Sequence, residues 1–140
     1  MRFDPYLFFG GNCREAFTRY QEIFGGKLDV VTMGDAPSEE PPPPEKADVV
    51  IHAALDFGDG TYLMGSDDMA PEGPRNPTQG MMACWSTADA DEARKVFDQL
   101  AEGGSVTQEP IQTFFSPVFA MCTDRFGTPW MVVADQPEGS

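Results

Sequence analysis

The sequence predicts an α+β fold built from two βαβββ modules. A helix motif is written twice. Asn12-Cys13-Arg14-Glu15-Ala16, then Tyr20 and Ile23, returns as Asp89-Ala90-Asp91-Glu92-Ala93, then Phe97 and Leu100, each 77 residues after its counterpart. A strand motif also recurs, Gly60-Thr61-Tyr62-Leu63-Met64 against Gly127-Thr128-Pro129-Trp130-Met131, at an offset of 67. Around both motifs, apolar runs of strand length stand between Gly- and Pro-rich breaks. Duplication of this kind implies a pseudo-symmetric molecule with a cleft that both modules share.

Taken in order, residues 3–9 are apolar and aromatic, as a buried strand requires. Asn12 follows as an N-cap, with Glu15 three positions on as its capping-box partner. Ala16, Phe17, Tyr20, Ile23 and Phe24 form one apolar helical stripe, which Gly25-Gly26 ends. Residues 27–33 read as the next strand. Residues 35–46 hold Pro37, Glu39-Glu40 and the run Pro41-Pro42-Pro43-Pro44, so they predict a solvated loop with polyproline II character. The two repeat offsets differ by ten residues, and this loop accounts for the extra length in the first module. Residues 49–57 and 61–65 flank Gly58-Asp59-Gly60, a hairpin signal.

A polar Pro/Gly-rich connection at 68–79 leads into the second copy. There residues 81–86 read as a strand, and Asp89 with Glu92 as a second capping box. Ala93, Val96, Phe97, Leu100 and Ala101 repeat the stripe, and Gly103-Gly104 closes the helix. Strands at 105–109, 114–122 and 129–134 complete the module, with a turn at 124–127. The whole is one domain of residues 1–140. Its first module is 1–68, containing the loop 35–46, and its second is 80–136.

The formal net charge is −14 over 140 residues. Such a surface repels phosphates, which argues against nucleic acid and anionic membrane as partners and favours cationic small molecules. No run approaches the roughly 20 apolar residues needed to cross a bilayer. The N-terminus mixes Asp4 and Pro5 into its apolar run, unlike a signal peptide. Three widely spaced cysteines, Cys13, Cys84 and Cys122, fit reduced thiols, so a cytoplasmic location is predicted. No CxxC pair suggests a structural zinc.

Several features together resemble the PhnB-like branch of the vicinal oxygen chelate superfamily, which includes glyoxalase I, extradiol dioxygenases, fosfomycin-resistance enzymes and bleomycin-binding proteins. They are Pro5-Tyr6-Leu7, Glu15-Ala16 with Tyr20 and Phe24-Gly25, Gly65-Ser66-Asp67, and Asp124-Arg125-Phe126-Gly127 before Trp130-Met131. The resemblance covers nearly the whole chain and implies curled mixed sheets around a shared cleft, with four inward-facing metal-ligand positions on the first and last strand of each module. Aligning the repeats puts Pro5, Met64, Cys84 and Met131 there. Proline offers no donor and thioethers suit hard or borderline divalent ions poorly. No cofactor is therefore predicted, with a divalent metal left open. Members of this branch are often labelled 3-demethylubiquinone-9 3-methyltransferases, yet the chain has no glycine-rich strand-to-helix loop to hold a nucleotide-like cofactor.

His52, the only histidine, is the candidate general base, and alternation puts it on one face with Val50 and Ala54. Phe8, Met64, Trp85, Trp130 and Met131 are candidates to line an apolar pocket with His52 and Cys84; the alternative for them is core packing. Cys13 in the first helical turn could be activated by the helix dipole, but a structural thiol is the simpler reading. Asp67 and Asp68 suit either a cationic ligand or a solvated turn. These residues predict a metal-free protein that binds a small organic molecule, with a cationic one as a subclass, in the inter-module cleft. One alternative is a metal-dependent lyase, isomerase or dioxygenase with a rearranged site that recruits His52, Asp67 or Cys84. Another is an interaction module acting through the proline loop. The resemblance further implies a homodimer, with module exchange left open.

Overall fold

The computed structural model describes residues 1–35, 40, 42–68 and 80–135. The chain divides into two units, Met1–Asn76 and Pro77–Ser140. In the first, β1 (Tyr6–Phe9), α1 (Cys13–Phe24), β2 (Lys27–Thr32), β3 (Val50–Asp56) and β4 (Tyr62–Asp67) follow in sequence. The sheet order is β1-β4-β3-β2. β1 runs parallel to β4, and the other neighbours are antiparallel. The second unit repeats this with β5 (Ala83–Thr87), α2 (Ala90–Ala101), β6 (Ser105–Ile111), β7 (Val118–Thr123) and β8 (Pro129–Ala134), ordered β5-β8-β7-β6. The doubled βαβββ pattern is thus present element for element.

Each helix lies on one face of its own sheet because its apolar stripe has nowhere else to be dry. α1 buries Cys13, Ala16, Phe17 and Tyr20. The Phe17 ring meets those of Phe9 and Tyr20 edge-on, at centroid distances of 6.0 and 5.6 Å. Gly65 in β4 makes this approach possible. A Cβ there would stand 2.6 Å from the Leu7 carbonyl oxygen and 2.8 Å from Phe17 Cε2. α2 buries Ala93, Val96, Phe97 and Leu100, and Val118, Ala120, Cys122, Trp130, Val132 and Ala134 complete the second core.

The helix starts differ from the predicted capping boxes. Asp89 does cap α2, accepting from the N–H groups of Asp91 and Glu92 at 2.9 and 3.3 Å. Glu92, however, accepts from the Thr87 hydroxyl at 3.0 Å, and Thr87 Oγ1 in turn accepts the Asp89 N–H at 3.2 Å. Asn12 makes no side-chain cap bond. A residue distant in sequence takes its place: Asp67 Oδ1 accepts from the N–H groups of Gly11 and Cys13 at 3.1 and 3.0 Å.

Strand β7 begins at Val118 rather than at 114, because Thr113 and Ser116 close a turn first. Thr113 N–H donates to the Ser116 carbonyl at 2.8 Å, and Ser116 N–H donates to Thr113 Oγ1 at 3.1 Å. Pro110 is tolerated in β6 because that strand is at the sheet edge and its register shifts between Gln108 and Ile111. In the proline-rich segment, Pro43 has polyproline II angles (φ −54°, ψ 144°), and Pro44–Lys46 form a single 3-10 turn. Pro37, Glu39 and Pro41 lie outside the described residues, as does most of the connection at 68–79. No helix among the described residues is long and apolar enough to cross a membrane.

Candidate functional site

One face of each sheet is taken by its helix, so the other face carries the candidate chemistry. In the first unit Tyr6 is opposite Met64 and Phe8 is opposite Ser66. Met64 pairs with Ala54, and Val31 pairs with His52. Leu55, Leu63 and Phe9, one residue out of phase, are buried toward α1. Tyr6, Phe8, Val31, His52, Ala54 and Met64 therefore share the face turned away from α1. Tyr6 and Phe8 are 39 and 53% exposed, the pattern of a surface rather than a core. The Tyr6 hydroxyl and His52 Nδ1 are 3.1 Å apart, and their rings lie 5.8 Å apart between centroids. Either the phenol donates to Nδ1, or an Nδ1–H donates to the phenol oxygen.

The company of His52 differs from the expectation in one respect. Val31 pairs with His52 while Thr32 pairs with Val50, so β3 carries an extra residue at Ile51. The bulge turns Val50 to the face opposite His52, where it is 1% exposed. Simple alternation cannot see this.

In the second unit Cys84 is opposite Met131, and Met131 is opposite Met121. These three share the face away from α2. Trp85 pairs with Val132, which is fully buried, and so belongs to the α2 side. Trp130 is 3% exposed, and its Nε1–H donates to Asp124 Oδ2 at 2.9 Å. Of the seven candidates, Phe8, His52 and Met64 come together on one sheet, and Cys84 and Met131 on the other. The two tryptophans belong to the sheet face on the α2 side, Trp130 buried there and Trp85 half-buried. Tyr6 and Met121 were missed, although alternation back from Phe8 marks Tyr6.

The most motif-like residues turn out to be structural. Asp124 Oδ1 accepts from the N–H groups of Phe126 and Thr128, each at 2.9 Å, so its carboxylate ties the β7–β8 turn to Trp130. This explains the Asp-Arg-Phe-Gly-x-x-Trp run without any ligand. Asp67 is 5% exposed, and its Oδ2 accepts the Val50 N–H at 3.0 Å while Oδ1 holds the start of α1. Both oxygens are engaged inside the fold, which corrects both readings of Asp67, as a ligand for a cation and as part of a solvated turn.

Cys13 is fully buried, and desolvation, with Asp67 adding to it, pushes its thiol up to about 12. The helix dipole does not overcome burial here. Cys122 is likewise pushed up to about 11 by desolvation and then Asp124. Cys84 is the exposed thiol.

The register also revises the repeat alignment. Tyr6 stands to Met64 as Cys84 stands to Met131. Aligned by their helices, the repeats would match Cys84 with Leu7; the β1–α1 link is one residue longer than the β5–α2 link, so the register sets Tyr6, not Pro5, at the first ligand-equivalent position. The four positions thus carry a phenol, a thioether, a thiol and a thioether. Among the described residues, no three His, Cys, Asp or Glu side chains group as a ligand set. Neither unit's pair of donors fits a hard or borderline divalent ion.

Residues 2–132 match the family model of the Glyoxalase/Bleomycin resistance protein/Dioxygenase superfamily. The chain is 31% identical to Protein YjdN of Escherichia coli (strain K12), over 98% of this chain and 99% of that one. The crystal structure of protein PA1353 from Pseudomonas aeruginosa superposes with a TM-score of 0.83 at 39% identity, covering 98% of this chain and 99% of that one. A putative 3-demethylubiquinone-9 3-methyltransferase, PhnB protein, from Bacillus cereus shares the fold, with a TM-score of 0.72 at 24% identity over 96% of this chain and 99% of that one.

Proposed function

Because this chain belongs to the Glyoxalase/Bleomycin resistance protein/Dioxygenase superfamily, in its PhnB-like branch, we propose that it binds a small organic molecule without the divalent metal centre that the superfamily's enzymes use. The observation that carries this reading is the Tyr6–His52 pair on the face away from α1. It supplies a hydrogen-bonding handle inside an apolar surround of Phe8, Val31 and Met64, the composition small-molecule sites favour. Tyr6 and Phe8 offer exposed aromatic rings, and the net charge of −14 adds long-range attraction, so the ligand class is an aromatic or cationic organic compound.

A second reading, turnover with His52 as general base, uses the same bond in one of its two directions: with Nδ1–H donating to the phenol oxygen, Tyr6 fixes the imidazole's orientation and leaves Nε2 unprotonated to accept a substrate proton.

A thermal-shift screen with aromatic, dicarbonyl and cationic compounds tests the binding, since a ligand of the native state raises the melting temperature by mass action. Compounds that stabilise the protein should lose most of that effect with Tyr6→Phe and with His52→Ala. Equal stabilisation of the double variant would overturn the proposal. Product formation that disappears with His52→Ala would establish the second reading. Pairing into a homodimer is part of the proposal, supported by exposed apolar side chains such as Phe114, 91% exposed. Light scattering on the purified chain should give twice the monomer mass.

A further inference from the structure

We propose that the second sheet binds one cuprous ion through three sulfur atoms, those of Cys84, Met131 and Met121. The strand register sets them in a row. Cys84 is the direct partner of Met131 across β5 and β8, and Met131 is the direct partner of Met121 across β8 and β7. Neighbouring strands lie about 4.8 Å apart, so the two outer residues flank the middle one at side-chain reach. Methionine has three rotatable bonds and adapts its sulfur position, which lets both thioethers swing toward a common centre.

All three sulfurs lie on the face away from α2. Their neighbours along the strands, Ala120, Cys122, Trp130 and Val132, are buried on the other face. Cys84 is exposed and both methionines are half-buried, so an ion can reach the row from solvent.

The chemistry of the row selects the ion. One thiolate with two thioethers is a soft, singly charged donor set. It suits a monovalent soft ion such as Cu(I) and offers little to Mg, Mn or Zn. Binding displaces the Cys84 thiol proton to solvent and leaves a neutral complex, with no change in oxidation state. The other two thiols do not compete, since Cys13 and Cys122 are fully buried. Nor is the row a by-product of the duplication. The equivalent row in the first sheet runs Tyr6, Met64, Ala54 and Asp29, with a single sulfur. The site is on the opposite unit from the Tyr6–His52 pair and does not depend on it.

The test titrates the reduced full chain, under anaerobic conditions, into Cu(I) held by a coloured chelator such as bathocuproine disulfonate. The chain should withdraw one ion from the chelator, and X-ray absorption should show sulfur ligands alone. Cys84→Ser should abolish withdrawal, and Met131→Leu and Met121→Leu should each weaken it by about tenfold or more. Cys84 is at the surface and leucine conserves methionine's bulk, so the variants fold; a thermal melt of each checks this. Failure to withdraw copper, or withdrawal unchanged by Cys84→Ser, overturns the proposal. Full affinity in both methionine variants also overturns it, by reducing the site to one thiol.

Discussion

Replacing Asp67 by asparagine should destabilise the fold by about 2–4 kcal/mol. Its carboxylate accepts three backbone N–H groups, from Gly11, Cys13 and Val50, at 3.0–3.1 Å. Two go to one oxygen and one to the other, and the side chain is 5% exposed. Asparagine keeps one acceptor oxygen and turns the second into an NH2 donor. Whichever way the amide is flipped, at least one buried N–H then faces another N–H. An unsatisfied buried donor costs about 1–3 kcal/mol, and the remaining bonds lose their charge assistance at about 1 kcal/mol more.

Against a typical total of about 5–15 kcal/mol, that loss is large. Urea unfolding followed by circular dichroism measures it, with an unchanged denaturant slope showing that both proteins unfold in the same way. Asp67→Ala should cost more, since all three donors lose their acceptor. A change below about 0.5 kcal/mol for Asp67→Asn, the range of ordinary surface substitutions, would refute the assignment of Asp67 as the tie between β3, β4 and the start of α1.

Gly65→Ala should cost about 1–3 kcal/mol, because the new methyl meets the Leu7 carbonyl and the Phe17 ring and the helix must lift; urea midpoints decide it, and a neutral effect would mean that α1 is not seated on β4. Alkylation of the native protein with iodoacetamide at pH 8 should label Cys84 alone, with Cys13 and Cys122 reacting only in denaturant; mass spectrometry of the peptides reads this directly. Both buried thiols have raised native pKa values, about 12 for Cys13 and about 11 for Cys122 against 9.0 ordinarily. Their protonated forms therefore stabilise the fold fully below pH 9, and that stability is lost as pH rises through 11 and 12. Urea midpoints measured from pH 8 to 11 should fall, and Cys13→Ala should flatten the decline.

How far the fold can be read before folding depends on which interactions are local. The helices were legible because their apolar stripes and glycine stops lie within about a dozen residues, and the duplication displayed each of them twice. The start of α1 was not, since its acceptor is Asp67, more than fifty residues away, and nothing at Asn12 announces that substitution. The late start of β7 comes from the Thr113–Ser116 turn, where a hydroxyl competes for backbone N–H groups that strand propensity would assign to the ladder.

In the candidate site, His52 and Met64 could be placed from alternation, but the bulge at Ile51 moved Val50, and only the pairing of β1 with β4 sets the ligand-equivalent position at Tyr6 rather than Pro5. Insertions of one residue leave little trace in composition, yet each exchanges the two faces of a strand. Trp130 fits a pocket and a core equally well as a residue type. Only the position of Asp124, six residues earlier and aimed at its indole, decides for the core.

The account rests on the first sheet offering organic recognition rather than hard-metal coordination at Tyr6 and Met64. Manganese(II) titrated into protein carrying labelled methionine methyl groups reports on this, because a bound paramagnetic ion broadens the signals nearest it. The Met64 and Met131 methyls should broaden no more than those of other solvent-accessible methionines at equimolar ion. Selective loss of the Met64 signal at one equivalent, abolished by Tyr6→Phe or His52→Ala, would contradict the account.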